Sequence, residues 1–166
     1  MRVVLPVVKG RDFDEFVVGS STRLLRAAYL LTGDPHTAED LVQDVLSRIY
    51  VGWARIDDPY AYARRALVHS ATNRWRRASR RPEVALESRH DLATPGVDAD
   101  RIDLLAALRQ LPSGQRAVIV LRFLDDASID DTARPFGCSA GTVKSQTARA
   151  LPRLRALLAE PSESPS

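Results

Sequence analysis

The chain has 166 residues, 45% of them hydrophobic, and a formal net charge of only +3. This hydrophobic content excludes an intrinsically disordered protein, and the length allows one domain or two small helical ones. The single cysteine, Cys138, excludes an internal disulfide and a zinc site of the usual cysteine-rich kind. The apolar run near the N-terminus is broken by Pro6 and Lys9 and is too short for a signal peptide or a membrane span. We therefore expect a cytoplasmic protein without membrane contact.

The first half of the chain is predicted to form three helices. Apolar residues recur at three- and four-residue spacing over 13–31, which is typical of an amphipathic helix. Asp34 and the proline after it form a helix start signal, which predicts a second helix over roughly 35–53. Asp58 and its following proline repeat the signal and predict a third helix over about 59–77.

The second half begins after a stretch rich in proline and scattered charge, and it is also helical. Helices are predicted over 102–111 and 113–123, and we find no convincing strand. The fold class is therefore all-α, with two small helical domains joined by a flexible linker. The predicted divisions are an N-terminal tail over 1–12, a first domain over 13–79, a linker over 80–100, a second domain over 101–158 and a disordered tail over 159–166.

Residues 128–158 have the pattern of a helix, a tight turn and a second helix. Ser128 precedes an aspartate by three residues, which is a capping-box start, and Gly137 can end the short helix in the left-handed conformation. Val143 would face the first of these helices and set the crossing. This is the helix-turn-helix arrangement, in which the second helix enters the major groove of DNA.

The second helix of this motif carries polar and cationic side chains and no acid before Glu160. Hydroxyl, amide and cationic groups at a helix N-terminus suit phosphates and base edges. An antiparallel helix pair with a glycine turn and a basic face is the alternative interpretation. The candidate DNA-binding residues are Ser139, Thr142, Lys144, Ser145, Gln146 and Arg149.

Charge is segregated along the first domain. Residues 61–82 contain seven arginines and no acid, whereas 34–58 contains six acids and two arginines. Such segregation indicates one surface for a polyanion and another for a different partner, and solvated charged faces are the alternative.

Five segments, in this order, resemble the extracytoplasmic-function (ECF, group IV) sigma factors of bacterial RNA polymerase, and among them the small actinobacterial SigE-type proteins. The resemblance covers about 13–158. It implies that the first domain is sigma region 2, with three helices, and the second is the helix-turn-helix domain of region 4. The segments are LLTGD at 30–34, AEDLVQDVL at 38–46, DPYAYARRALVHSATNRWRR at 58–77, LPSGQRAVIVLRFLDDAS at 111–128 and GCSAGTVKSQTARAL at 137–151.

The resemblance implies a protein that binds core polymerase, recognises the promoter −10 and −35 elements and enables transcription initiation, with no catalytic step, cofactor or metal of its own. Region 2.2 would dock on the β′ clamp helices, and region 4 would lie near the β flap. An anti-sigma factor is a further candidate partner. The residues implied in docking are Asp40, Leu41, Gln43 and Asp44, for which an ordinary amphipathic helix is the alternative.

Regions 2.3 and 2.4 would open the −10 element and hold an unstacked base. Cations that grip the backbone and aromatic rings that stack are the expected tools for single-stranded DNA. Tyr60, Tyr62 and Trp75 are the candidate rings, with burial in the core as the alternative. The residues implied in −10 binding are Arg64, Arg65, His69, Asn73, Arg74, Trp75, Arg76 and Arg77.

In region 4, Lys144 and Arg149 would hold phosphate, and Gln146 would pair with adenine edges. The chain departs from the family pattern at four positions. Gln146 and His69 replace the usual arginine and asparagine. Pro135 lies inside the first helix of the motif, whose last turn it would distort, and Pro152 is expected to kink or end the recognition helix.

Other functions remain open at this point. A plain helix-turn-helix regulator would not need the first domain, and a degenerate sigma-like protein would dock on polymerase without initiating. The sequence does not support an enzymatic function, because no phosphate-binding glycine loop, HExxH or GxSxG motif occurs. In the family the two domains can close on each other in the free protein and hide both DNA surfaces, and the sequence leaves open whether this chain does so.

Overall fold

The computed structural model describes residues 6–80 and 99–159, and within these ranges it contains seven α-helices and no strand. The predicted all-α class is confirmed. A 3₁₀ turn at Trp53–Arg55 follows the second helix, and a π-helical turn at Val120–Leu124 follows the fifth. The helices are α1 Pro6–Thr32, α2 Pro35–Gly52, α3 Pro59–Arg80, α4 Ala99–Gln110, α5 Ser113–Ile119, α6 Ile129–Phe136 and α7 Ala140–Ala159.

Three helix starts predicted from the sequence are confirmed by their capping hydrogen bonds. The Thr37 amide donates to Asp34 Oδ2 at 2.9 Å at the start of α2. Asp58 Oδ1 accepts from the amide three residues on at 3.0 Å, and Ser128 Oγ does the same at 3.0 Å. Each cap satisfies an amide that the first turn of a helix otherwise leaves without a partner.

Helical structure extends beyond several of the predicted domain bounds, and the rest of the predicted linker and tail lies outside the described residues. Arg80 ends α3, Ala99 begins α4, and Ala159 ends α7. Helix α1 begins at Pro6, so it takes in residues 6–12 of the stretch 1–12 that the sequence assigned to a tail. A proline at the first helical position loses no hydrogen bond, because that amide has no acceptor within the helix. The linker prediction for 81–98 and the tail prediction for 160–166 lie outside the described residues.

The predicted helix over 113–123 changes its winding at its C-terminal end. The Asp125 amide donates to Val120 O at 2.9 Å, a five-residue step that marks the π turn. Val120 and Leu121 are both buried, and the wider turn places Asp125 itself inside the molecule. No local signal predicted this turn.

The two internal prolines are tolerated. Pro135 lies one residue before the end of α6. Just after that end, Gly137 takes the left-handed conformation (φ 59°), and the Cys138 amide donates a hydrogen bond to Ala133 O. Helix α7 continues for seven residues past Pro152, so the prediction that this proline ends the helix is wrong. The buried Leu154 anchors the continuation and offsets the one backbone hydrogen bond that proline removes.

The two predicted domains share one hydrophobic core. Leu31, Val45 and Leu67 of the first domain belong to the same buried cluster as Leu108 and Leu121 of the second. Helix α3 packs against α6, and α1 packs against the π turn. The described parts of the two domains are therefore closed on each other.

Replacement of Asp34 by alanine is expected to lower the free energy of unfolding by about 1 kcal/mol. Burial raises the pKa of Asp34, but hydrogen bonds from the Thr37 hydroxyl and amide outweigh it, and the net pKa lies below 3.8. A lowered carboxyl pKa stabilises the fold above the unfolded-state value and loses that effect as the pH falls through the folded-state value. In urea unfolding, Asp34→Ala should therefore have a lower free energy of unfolding than the parent chain at pH 7. The difference between the two proteins should shrink as the pH falls. Glu39→Ala, at an exposed position on the same helix, is the control and should show no such difference.

Candidate nucleic-acid and polymerase interfaces

Helix α7 is positioned by a cap at its start and an apolar contact one turn later. Ser139 Oγ accepts from the Thr142 amide at 3.2 Å, and the two hydroxyls lie 3.1 Å apart. Val143 is buried against Ala133 of α6 and Val118 of α5. The predicted packing of Val143 on the first helix of the motif is confirmed, and it turns the opposite side of α7 toward solvent.

That outer side brings together four of the six residues predicted to bind DNA. Helical periodicity places Thr142, Ser145, Gln146 and Arg149 on one side of α7. All are exposed except Gln146, which is half-buried. Lys144 is also exposed, but the same periodicity places it on the opposite flank.

Arg153 belongs to this side of the helix and was missed in the sequence. It lies four residues after Arg149, one turn further along, and is exposed. Its four-residue spacing after Arg149 is the signal that could have identified it, and it lies one residue after Pro152, where the helix was expected to kink or end. We call the exposed side of α7 formed by Thr142, Ser145, Gln146, Arg149 and Arg153 the recognition stripe.

The arginine-rich helix α3 divides its candidate residues among three directions. Arg65, His69, Asn73 and Arg77 follow at four-residue spacing along one exposed side, and His69 Nε2 also lies 2.6 Å from Pro135 O of α6. Arg74 donates from Nη2 to the Thr37 hydroxyl of α2 at 3.1 Å, which is a contact within the first domain. The side chains of Trp75 and Arg76 lie outside the described part of the structure.

Arg64 points into the second domain instead. Its Nε donates to Asp125 Oδ2 at 2.9 Å, and its side chain is only 13% exposed. The Tyr60 hydroxyl donates to the same carboxylate, and burial followed by this hydrogen bond raises the pKa of Tyr60. The guanidinium groups of Arg23 and Arg64 lie 4.5 and 5.1 Å from the centre of the Tyr60 ring. Tyr62, by contrast, is 38% exposed and is not a core residue.

Helix α2 presents its acids on the side away from the core. Asp40, Gln43 and Asp44 are exposed, and Leu41 is half-buried against the core at the edge of this surface. Asp44 pairs with Arg48 at 2.7 Å, an exposed ion pair of small energetic weight. Val51, 81% exposed and two turns after Asp44, extends the surface with an apolar end that sequence reasoning missed.

The second domain contains two pairs of adjacent acids, Asp125–Asp126 and Asp130–Asp131. Asp125 is buried among cations of the first domain, whereas Asp126 is exposed with a φ of 54°. Asp130 and Asp131 occupy the first turn of α6, where the helix dipole favours negative charge.

These features define a helical DNA-binding protein in which a helix-turn-helix domain packs against an arginine-bearing domain. Family models for sigma-70 region 2 and sigma-70 region 4 match residues 19–81 and 101–154. The chain belongs to the sigma-70 family and is a sigma factor of the ECF type, a class that serves transcription initiation. Among the described residues, no helix is long and apolar enough to cross a bilayer.

The relatives cover most of the chain. It is 42% identical to the RNA polymerase sigma-E factor of Streptomyces coelicolor over 151 residues, which is 87% of this chain and 84% of that protein. It is 34% identical to the ECF RNA polymerase sigma factor SigM of Mycobacterium tuberculosis over 150 residues, or 88% and 76% of the two chains.

Two solved structures of other sigma factors and related proteins superpose on most of this chain. The sigma factor RpoE from Bartonella quintana, solved in complex with the anti-sigma factor NepR, superposes with a TM-score of 0.76 at 27% identity, over 89% of this chain and 97% of that chain. CnrH, solved in complex with the cytosolic domain of CnrY, superposes with a TM-score of 0.66 at 26% identity, over 90% and 88%.

Proposed function

We propose that three separate surfaces of this sigma factor divide the work of initiation. The acidic side of α2, with Asp40, Gln43 and Asp44, docks on a basic surface of core polymerase. The recognition stripe of α7 binds the −35 element as duplex, and the exposed side of α3 contacts the −10 strand. The observation that carries this proposal is the recognition stripe, which is exposed apart from the half-buried Gln146, free of acids and backed by the buried Val143.

The chemistry of the recognition stripe fits duplex DNA. The cationic Arg149 and Arg153 suit phosphates, while Gln146 can present a donor and an acceptor to the edge of an adenine in the major groove. Ser139 and Thr142 hydroxyls lie at the helix N-terminus, where backbone amides also favour a phosphate. Lys144, on the opposite flank, is left out of this surface.

The chemistry of α3 fits a single strand. Arg65, His69, Asn73 and Arg77 offer donors along one side, and the exposed ring of Tyr62 lies one turn before Arg65 as a stacking surface. Arg64 joins this set when its carboxylate partner is released. We assign no bond-making step to the chain and place it in the cytoplasm, where an anti-sigma factor is a candidate partner.

Run-off transcription tests the proposal. Purified core polymerase and genomic fragments, including the region upstream of the protein's own gene, are incubated with and without the protein. A discrete, protein-dependent transcript is expected. Retained core binding without any transcript would indicate a polymerase-docking protein that does not initiate, and retained duplex binding without core binding would indicate a simple regulator.

A further inference from the structure

A carboxylate of the second domain is enclosed by three groups of the first. Asp125 is only 5% exposed. Arg64 Nε lies 2.9 Å from its Oδ2, Arg23 Nη2 lies 3.5 Å from its Oδ1, and the Tyr60 hydroxyl donates to it as well. Arg23 Nη2 also donates to the Asp125 carbonyl oxygen at 3.2 Å. The negative charge of Asp125 is thus balanced by two arginines and a hydroxyl group of the first domain.

Further polar contacts hold the domains together away from Asp125. His69 Nε2 lies 2.6 Å from Pro135 O, which joins α3 to α6. Arg109 donates to Gly33 O, and Arg116 Nη1 lies 3.5 Å from Leu31 O at the C-terminal end of α1. These two cations are favourably placed against the negative end of that helix dipole. Removal of Asp125's charge alone therefore weakens the closure without dismantling it.

The closure affects the two DNA surfaces unequally. Arg64 and His69, both assigned to the −10 strand, are engaged by the second domain. In the same structure the recognition stripe on α7 stays exposed at every residue except the half-buried Gln146. The family expectation that closure hides both DNA surfaces therefore holds only for part of one surface in this chain.

A carboxylate and a phosphate bind to an arginine side chain in the same way, because both are anions that accept charge-assisted hydrogen bonds. Arg64 cannot give its Nε–H to Asp125 and to a DNA phosphate at once. We propose that Asp125 is an intramolecular competitor of the −10 strand, a latch that keeps the domains closed and withholds Arg64 until single-stranded DNA displaces it. This inference rests on the proposed assignment of Arg64 to DNA, whereas the latch itself rests only on the contacts described above.

The charge-neutral replacement Asp125→Asn tests the latch, and Asp126→Asn is the matched control. The two variants lose the same charge from neighbouring positions, but Asp126 is exposed, and asparagine tolerates its positive φ. Spin labels at Val18→Cys and Arg155→Cys, both exposed, in a Cys138→Ser background report the distance between the domains. We expect one short, narrow distance for the parent chain and Asp126→Asn, and an added population of longer distances for Asp125→Asn.

Competition with DNA is measured on the same proteins by the anisotropy of a fluorescein-labelled oligothymidylate of about 12 nucleotides. Asp125→Asn should bind it about tenfold more tightly than Asp126→Asn, because a larger fraction of the chain is competent. Arg23→Gln, which weakens the latch without touching an assigned DNA contact, should give a smaller increase in the same direction.

Identical distance distributions for Asp125→Asn and the parent, or equal opening by Asp126→Asn, would overturn the latch. Opening without any gain in DNA affinity would overturn the competition. The distance result stands whether or not the run-off assay yields a transcript, so failure of the latch and failure of the proposed function are separable.

Discussion

Reversal of two charges on α2, by Asp40→Lys with Asp44→Lys, is expected to abolish protein-dependent transcription. Each acid would meet a basic group on the polymerase, and reversal replaces an attraction by a like-charge contact that costs several kcal/mol at an interface. Affinity for core polymerase should fall by at least about 100-fold. Biolayer interferometry with immobilised core enzyme measures the affinity directly.

The fold should survive this change. Both side chains are exposed, and the Asp44–Arg48 pair contributes little at the surface. Asp12→Lys with Glu15→Lys, two exposed acids on α1, is the matched control and should keep parental affinity. If the α2 variant bound core as tightly as the parent, the docking surface would have to lie elsewhere on the molecule.

Removal of both arginines from the recognition stripe, by Arg149→Ala with Arg153→Ala, is expected to lower the affinity for −35 duplex by about 50-fold. Each lost contact is expected to cost about 1.2 kcal/mol, because a partly solvated contact contributes less than the roughly 1.5–3 kcal/mol of a buried hydrogen bond to a charged group, and two such losses amount to about 50-fold. Because the contacts are to phosphates, the loss should be similar for specific and unrelated duplexes, and the slope of log K against log salt should fall by about 1.8. Fluorescence anisotropy over a salt series measures both quantities.

The control removes the same charge from the other flank of α7. Lys144→Ala with Arg155→Ala changes two exposed cations that helical periodicity places away from the recognition stripe. The affinity should change by less than about threefold, which is the size of a long-range charge effect in physiological salt. An equal loss in the two double variants would show that total charge, rather than this side of the helix, governs binding.

The local features of this chain were predictable from its sequence. The caps at Asp34, Asp58 and Ser128, the left-handed Gly137 and the buried Val143 all appear where the residue pattern predicts them. Each depends on groups within one or two turns, so side-chain chemistry and backbone preference suffice to specify it. The five segments, by their order along the chain, also carried the family resemblance, and the family models confirm it.

The tertiary structure decided which charged side chains face solvent and which serve the closure. Arg64 and Asp125 are 61 residues apart, and nothing in the sequence of α3 predicts that Arg64 pairs with a carboxylate of the second domain. The π turn that carries Asp125 inward, and the continuation of α7 past Pro152 that adds Arg153 to the recognition stripe, likewise depend on packing against distant residues. A proline or a charge has a local cost that its own segment predicts, but whether that cost is offset depends on partners that only the folded chain brings within reach.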